Sequence, residues 1–277
     1  PVFVDIDLDN WTIDVNLLEK AIHEYNPKAL ITVDLYGNSC NYDQIINLCE
    51  KHNMVLVEDA AEALGSEYKS NKLGTFGQMG VLSFNGNKII TTGGGGMLVS
   101  DNEDYIQKAK YLSTQAREPT LHYEHIELGY NYRLSNLLAA IGRGQLTSLD
   151  NFVSIKRKIF SRYFDALSLI EGITFISENN DCKSNQWLTT LTIDGKKTGF
   201  NRDKIIQILN NENIESRPVW KPMHLQPLYK NFNYVRNKNK DVSAELFNSG
   251  ICLPSGSNLT KTDQDRIIDI ILSQANN

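Results

Sequence analysis

The residue most suited to chemistry is Lys88, which stands in Ser83-Phe84-Asn85-Gly86-Asn87-Lys88, five residues before four consecutive glycines at 93–96. A lysine there has little to pack against, whereas glycines let a backbone approach a bound ligand closely, so its amine is a candidate nucleophile or base. The spacing alone also fits an exposed lysine beside a flexible loop. A second signal is Glu58-Asp59, which ends the apolar run 54–57. Ligands of open α/β sheets bind outside the carboxyl ends of strands, where an aspartate can hold a cation or a protonated ring nitrogen. A loop or capping role accounts for the same residue equally well.

These residues need a scaffold, and the pattern supplies one. Short β-branched or apolar runs at 2–6, 30–35 and 54–57 alternate with helical patterns at 14–25 and 42–51. Apolar strands separated by helices predict an α/β fold around a mostly parallel sheet, covered on both faces. Runs at 80–84 and 96–100 predict strands on either side of the lysine and glycine segment, and a helix follows at 102–113. From Ser135 a helical pattern continues toward Leu169, too long for one ordinary helix and expected to bend near Asp150. That bend is the expected boundary between a large domain, 1–150, and a smaller α+β domain, 151–277. In the latter, strands are expected at 172–176, 187–193 and 214–219, and helices at 202–210 and 262–273.

Composition narrows the function classes. The 277 residues carry 28 Lys and Arg against 33 Asp and Glu, a net charge of −5, so no positive field favours nucleic acid. The four cysteines, Cys40, Cys49, Cys182 and Cys252, form no CxxC pair, which supports neither a metal site nor a disulfide framework and fits a reducing cytoplasm. No apolar stretch is long enough to predict a membrane span.

Four ordered segments, 57–65, 74–77, 83–88 and 129–136, together resemble the DegT/DnrJ/EryC1/StrS family. The resemblance rests on Val57-Glu58-Asp59-Ala60-Ala61-Glu62-Ala63-Leu64-Gly65, Gly74-Thr75-Phe76-Gly77, the Lys88 segment and Gly129-Tyr130-Asn131-Tyr132-Arg133-Leu134-Ser135-Asn136. It implies a pyridoxal 5'-phosphate-dependent aminotransferase of fold type I, the aspartate-aminotransferase-like architecture. Lys88 would bond to the cofactor aldehyde and, once released, move the proton between substrate carbon and cofactor. Asp59 would hold the pyridine nitrogen protonated, Glu62 would lie beside the ring, and Ser83 would bind the phosphate. Asn131 and Arg133 would reach across a homodimer interface, Asn131 toward the neighbour's cofactor and Arg133 toward substrate. Some family members are dehydratases that replace the lysine with His, so Lys88 favours transamination.

Further segments resemble the bacillosamine-type branch, whose members are UDP-4-keto-6-deoxy-N-acetylglucosamine aminotransferases of surface-glycan and glycoprotein pathways. These are Ser113-Thr114-Gln115-Ala116-Arg117, Glu215-Ser216-Arg217-Pro218-Val219-Trp220-Lys221-Pro222-Met223-His224 and Leu253-Pro254-Ser255-Gly256-Ser257. The implied substrates are a nucleotide sugar and an amino-acid donor, glutamate, with Arg217, Trp220, Lys221 and His224 in the sugar-nucleotide pocket. Trp220 as interface core and His224 as a satisfied buried histidine are the plainer alternatives.

Two departures stand out. Relatives reach the strand at 2–6 only after a segment holding a Ser-Gly-Thr phosphate turn and an aromatic that stacks on the pyridine ring; neither occurs here, so this sequence is expected to be part of a longer enzyme. Asp34 stands where many relatives carry His. Competing readings are a same-family enzyme for another keto-sugar nucleotide, a non-catalytic cofactor-binding regulator, and a phosphate-loop module. The last lacks GxxxxGK[ST] or GxGxxG after the first strand.

Overall fold

The computed structural model describes residues 1–179 and 181–275. The first half comprises β1 (Val2–Val4), α1 (Val15–Tyr25), β2 (Ala29–Val33), α2 (Tyr42–Lys51), β3 (Val55–Asp59), β4 (Glu67–Tyr68), β5 (Asn71–Lys72), β6 (Met79–Ser83), β7 (Gly96–Val99), α3 (Glu103–Ser113) and α4 (Asn136–Leu146). The second comprises α5 (Leu149–Leu167), β8 (Ile173–Phe175), β9 (Cys182–Lys183), β10 (Thr189–Ile193), α6 (Gly195–Thr198), α7 (Arg202–Asn211), β11 (Arg217–Pro218), β12 (Asn233–Val235), α8 (Val242–Ser249), β13 (Gly250–Leu253) and α9 (Lys261–Ala275).

Capping explains where the first helices start. Asp14 accepts the amides of Asn16 and Leu17, and Asn41 accepts that of Gln44, so orphan N–H groups of α1 and α2 are satisfied at their first turns. Both helices lay an apolar stripe on the sheet: Leu18 and Ile22 from α1 and Ile45 and Cys49 from α2 pack with Leu30 and Leu56. The sheet order is β2-β3-β6-β7, parallel across the first two pairings and antiparallel at the last. The α/β expectation therefore holds, and its carboxyl edge collects Asp59 at the end of β3 and Ser83 at the end of β6.

The second half is built on the antiparallel order β11-β13-β10-β8. Its core packs Ile159, Tyr163 and Leu167 of α5, Ile205 and Leu209 of α7, and Ile267 and Ile271 of α9 onto Leu191 and Ile251. The long helical pattern breaks at 147–148, between α4 and α5, close to the expected bend.

Two expectations need correction. The first strand does not join the parallel sheet: β1 pairs with β12 instead, and the Asp5 carboxylate that follows it accepts the Val242 and Ser243 amides at 2.9 and 3.0 Å, capping α8. A three-residue apolar run specifies no partner, and here Val235 with Leu17 and Ala21 provides the apolar seat. Nor is the sheet covered on both faces along β2. Along β2, Leu30 and Thr32 are buried while Ile31 and Val33 are 66% and 42% exposed, because α1 and α2 cover one face only.

Close backbone approach makes one glycine testable. A Cβ at Gly80 would lie 1.9 Å from the Gly74 carbonyl oxygen, whereas one at Gly86 would meet nothing within 4 Å. Gly80→Ala is expected to cost about 1–3 kcal/mol in denaturant unfolding, the usual range for overpacking. Gly86→Ala should stay within about 0.5 kcal/mol, as surface substitutions do.

Candidate active site

The carboxyl edge of the sheet brings Lys88, Glu62 and Trp220 together. The turn after β3 is fixed by the Ala60 amide bonding to the Val81 carbonyl at 3.0 Å and by the Ala61 amide bonding to Asp59 Oδ1 at 3.1 Å. Glu62 emerges from that turn into a nearly closed pocket. Its Oε2 accepts the Tyr36 amide at 2.8 Å, and its Oε1 accepts the Trp220 indole N–H at 2.9 Å. Lys88 Nζ lies 3.6 Å from Glu62 Oε1 and 4.2 Å from the centre of the Trp187 ring. An ion pair and a cation–π contact thus hold one ammonium. Burial pushes the Glu62 carboxyl above its ordinary value, opposed by the Tyr36 amide, Lys88 and the Trp220 indole.

Sequence reading missed three residues that build this pocket. Tyr36 stacks with Trp187 on one partner contact and Trp220 on another, at centroid distances of 6.3 and 6.2 Å, and its hydroxyl accepts the Trp220 amide. Trp187 Nε1 donates to the Asn87 carbonyl at 2.9 Å, fixing the residue before Lys88. Asn185 donates to the carbonyls of Glu62 and Leu64 and accepts the Trp187 amide. The available signal was Gly37: a Cβ there would meet Asn185 Oδ1 at 2.0 Å, so the glycine after Tyr36 marks a close approach.

The remaining predicted residues divide. Asp59 is half-buried and accepts only the Ala61 amide, and Ser83 Oγ accepts only the Asn85 amide, among the described residues. Arg217 and Trp220 line a groove of about 680 Å³ whose wall also includes Asn87, Ser216, Ser255 and Arg266. Arg217 is exposed and pairs with Glu215. Lys221 is exposed, and its carbonyl accepts from Gln226. His224 stacks on Tyr234 at 3.7 Å and approaches Asp241 at 3.3 Å, engagements of a packed histidine rather than of one turned toward Lys88. Asn131 and Arg133 are exposed on a strap held to the end of α3 by the bonds Gln115 N–H to Tyr130 O and Tyr132 N–H to Ser113 O. Among the described residues no cluster of His, Cys, Asp or Glu could hold a metal ion.

Comparison with known proteins decides the family: residues 1–272 match the DegT/DnrJ/EryC1/StrS aminotransferase family. This chain belongs to it. EpsN of Bacillus subtilis (strain 168) is 49% identical over 278 residues, covering 98% of this chain and 71% of that protein. GDP-perosamine synthase of Escherichia coli O157:H7 is 35% identical over 260 residues, covering 94% and 69%. Among solved structures, Helicobacter pylori PseC, an aminotransferase involved in the biosynthesis of pseudoaminic acid, superimposes with a TM-score of 0.90 at 27% identity, covering 100% of this chain and 74% of that one.

The family's enzymes depend on pyridoxal phosphate, and this chain is an aminotransferase of that kind. The donor set at the sheet edge fits the cofactor: a primary amine at Lys88, a lightly engaged carboxylate at Asp59 and a hydroxyl at Ser83.

The Glu62 cluster yields a direct test. Trp220→Phe removes the indole N–H that favours the ionised carboxylate, while the Trp220 backbone bond to Tyr36 remains, so the Glu62 carboxyl should titrate at higher pH than in the native chain. Carbon-detected NMR of labelled glutamate, with the resonance assigned by Glu62→Gln, measures the shift. An unchanged titration would show that the indole bond does not form in solution.

Proposed function

We propose that this enzyme transfers an amino group from an amino acid, glutamate, to C4 of a UDP-4-keto-6-deoxy-hexosamine for surface-glycan or glycoprotein sugar biosynthesis in the cytoplasm. Support for a sugar nucleotide comes from the relatives named above and from the groove beside the Lys88 pocket. That groove is the observation that carries the reading. Asn87 precedes Lys88, Trp220 bonds Glu62, and both form its wall together with Arg217. A guanidinium suits a diphosphate and an indole suits a sugar or base ring. No helix among the described residues is long and apolar enough to cross a membrane.

Bound pyridoxal phosphate supplies an aldehyde and a ring able to accept electrons. In this reading Lys88 would hold the cofactor through its aldehyde, and the free Nζ would serve as the base that moves a proton at the donor α-carbon. Asp59 would hold the ring nitrogen and favour its protonated form by placing a negative charge beside it. Ser83 would donate its hydroxyl to the phosphate. Glu62 holds the free Lys88 ammonium at 3.6 Å before cofactor arrives. Residues 1–150 form the cofactor domain in this proposal and 151–277 the smaller domain.

The working unit we propose is a homodimer in which Asn131 completes the neighbour's cofactor site and Arg133 lies near its substrate. An apolar surface supports it. Leu121, Ile126, Leu128 and Tyr132 of the strap are each at least three-quarters exposed, and α4 has no buried residue although Leu137 and Ile141 lie on it. Exposed apolar side chains grouped along the chain in this way are consistent with an interface.

Incubation with glutamate and UDP-4-keto sugars, followed by mass spectrometry and NMR of products, should show a 4-amino sugar nucleotide. Absence of any amino-sugar product from UDP-linked substrates would sink the substrate assignment. Lys88→Ala should abolish turnover and the visible absorbance of lysine-bound cofactor. Asp59→Asn should retain that absorbance but slow turnover by orders of magnitude. For the shared site, mixing Lys88→Ala with Asn131→Ala chains should restore activity that neither parent has, through the one site with both residues intact. Heterodimers no more active than the parents together would remove Asn131 from the neighbour's site.

A further inference from the structure

Beneath the site, on the covered face of the sheet, two carboxyl groups are buried together. Asp34 follows β2 and Glu58 lies in β3, and both are 0% exposed. Glu58 Oε2 accepts the Phe76 amide at 2.7 Å and Oε1 accepts the Gly74 amide. Asp34 Oδ1 accepts the Tyr42 hydroxyl at 2.7 Å and the Cys40 amide at 3.3 Å. Asp34 Oδ2 is the anomaly: it is buried and receives no donor, and Asp34 comes two residues after Thr32, the register partner of Glu58, so the two carboxyl groups are diagonal neighbours on one face. Two ionised carboxylates so placed would repel without water to screen them.

Among the described residues, no cation faces Asp34 to resolve the conflict. The titratable groups facing Asp34 are Glu58 from β3, Tyr42 from α2, Cys40 from the loop before α2, and Cys182 from β9. Burial pushes the phenol and both thiols upward, so each stays neutral. One proton between the carboxyls removes the repulsion and satisfies the orphaned oxygen together. Both Glu58 oxygens already accept backbone amides, whereas Asp34 Oδ2 has no partner, so the proton is placed on Asp34.

We propose that Asp34 is a protonated positioning residue whose carboxylic acid donates from Oδ2 to Glu58, locking together the carboxyl ends of β2 and β3. Both ends lead into the site. The Asp34 amide donates to the Asp59 carbonyl at 3.0 Å, and the Asp34 carbonyl accepts the Gly37 amide that closes the Tyr36 turn. The shared proton thus sets the spacing between the strand that ends in Asp59 and the turn that Glu62 grips. It requires no cofactor and is independent of the sugar substrate.

Infrared spectroscopy of the full chain, with carboxyl-labelled aspartate, tests the proton directly. A neutral-acid carbonyl band on aspartate should persist at neutral pH and vanish in Asp34→Asn. Its absence, or its appearance on glutamate alone, overturns the assignment.

A second readout is linkage. The unfolded chain releases this proton above roughly pH 4 while the folded chain retains it, so in that window rising pH weakens folding through this group. In Asp34→Asn the amide N–H replaces the acid O–H and the carbonyl keeps both its donors, but nothing titrates. The ratio of the variant's folding equilibrium constant to the native one should therefore rise about tenfold per pH unit, up to the point where folded Asp34 ionises. Parallel pH profiles would overturn the proposal, as would failure of Asp34→Asn to fold. Asp34→Ala, lacking donor and acceptors alike, should weaken folding at every pH; an Asp34→Ala chain as stable as Asp34→Asn would equally count against it.

Discussion

The carboxylate of Glu62 joins three parts of the chain that share no secondary structure. One oxygen takes the amide of the turn after β2, and the other takes the indole of a residue following β11 and faces the Lys88 ammonium. A carboxylate this enclosed persists only if its lone pairs are met, since an unpaired buried charge costs several kcal/mol, about 3–5 when one partner of a buried pair is lost. Folding of the Tyr36 turn, docking of the Trp220 segment and placement of Lys88 are therefore coupled through one group. The rings of Trp187 and Tyr36, both buried, pack around it with Trp220, and their low-dielectric surroundings strengthen those contacts.

A second layer of polar bonds carries that constraint into both sheets. Ser66 Oγ donates to the Gly37 carbonyl and accepts the Asn185 amide, each at 2.8 Å. Asn185 continues to Glu62 and Trp187. From the other side Lys156 of α5 donates to the carbonyls of Trp187 and Ser255 at 2.9 and 2.8 Å, and burial lowers its ammonium to about 8. These groups are buried and bonded chiefly to backbone, so they fix the loop on which Trp187 sits rather than offering chemistry of their own.

What could be read from residue order, and what could not, follows from this division. Helices with caps and apolar stripes, α1 and α2 above all, announce themselves locally, as does β3, a run of β-branched residues ending in acids. The placement of Lys88, Asp59 and Glu62 near the strand ends is legible because short motifs keep them in fixed register with those ends. Long-range partners were not. Nothing near Val2 says that it pairs with Asn233, and nothing near Trp187 says that its ring lies over Lys88, because both depend on partners far away in the chain. The short strands β4, β5, β9 and β12 have two or three residues each and too little pattern to declare a period. His224 is the reverse case: a polar type inside a family motif suggests a ligand contact, while its ring stacks on Tyr234 with Nε2 3.3 Å from Asp241, in keeping with the plainer alternative of a packed histidine.

The pairing of strands also explains why neighbouring acids have opposite fates. Glu58 and Asp59 are adjacent in β3, and successive side chains of a strand face opposite sides of the sheet. Glu58 therefore turns with Leu56 toward α1 and α2, where burial and the Gly74 and Phe76 amides give it a structural task. Asp59 turns to the side on which Ile31 and Val33 are exposed, and stays accessible to a ligand. A one-residue slip of β3 would exchange these environments, stranding a reactive carboxylate in the core and leaving the Gly74 and Phe76 amides without an acceptor. The proton shared beneath the sheet and the charge presented above it are thus consequences of one register, held by the β2 and β6 ladders on either side.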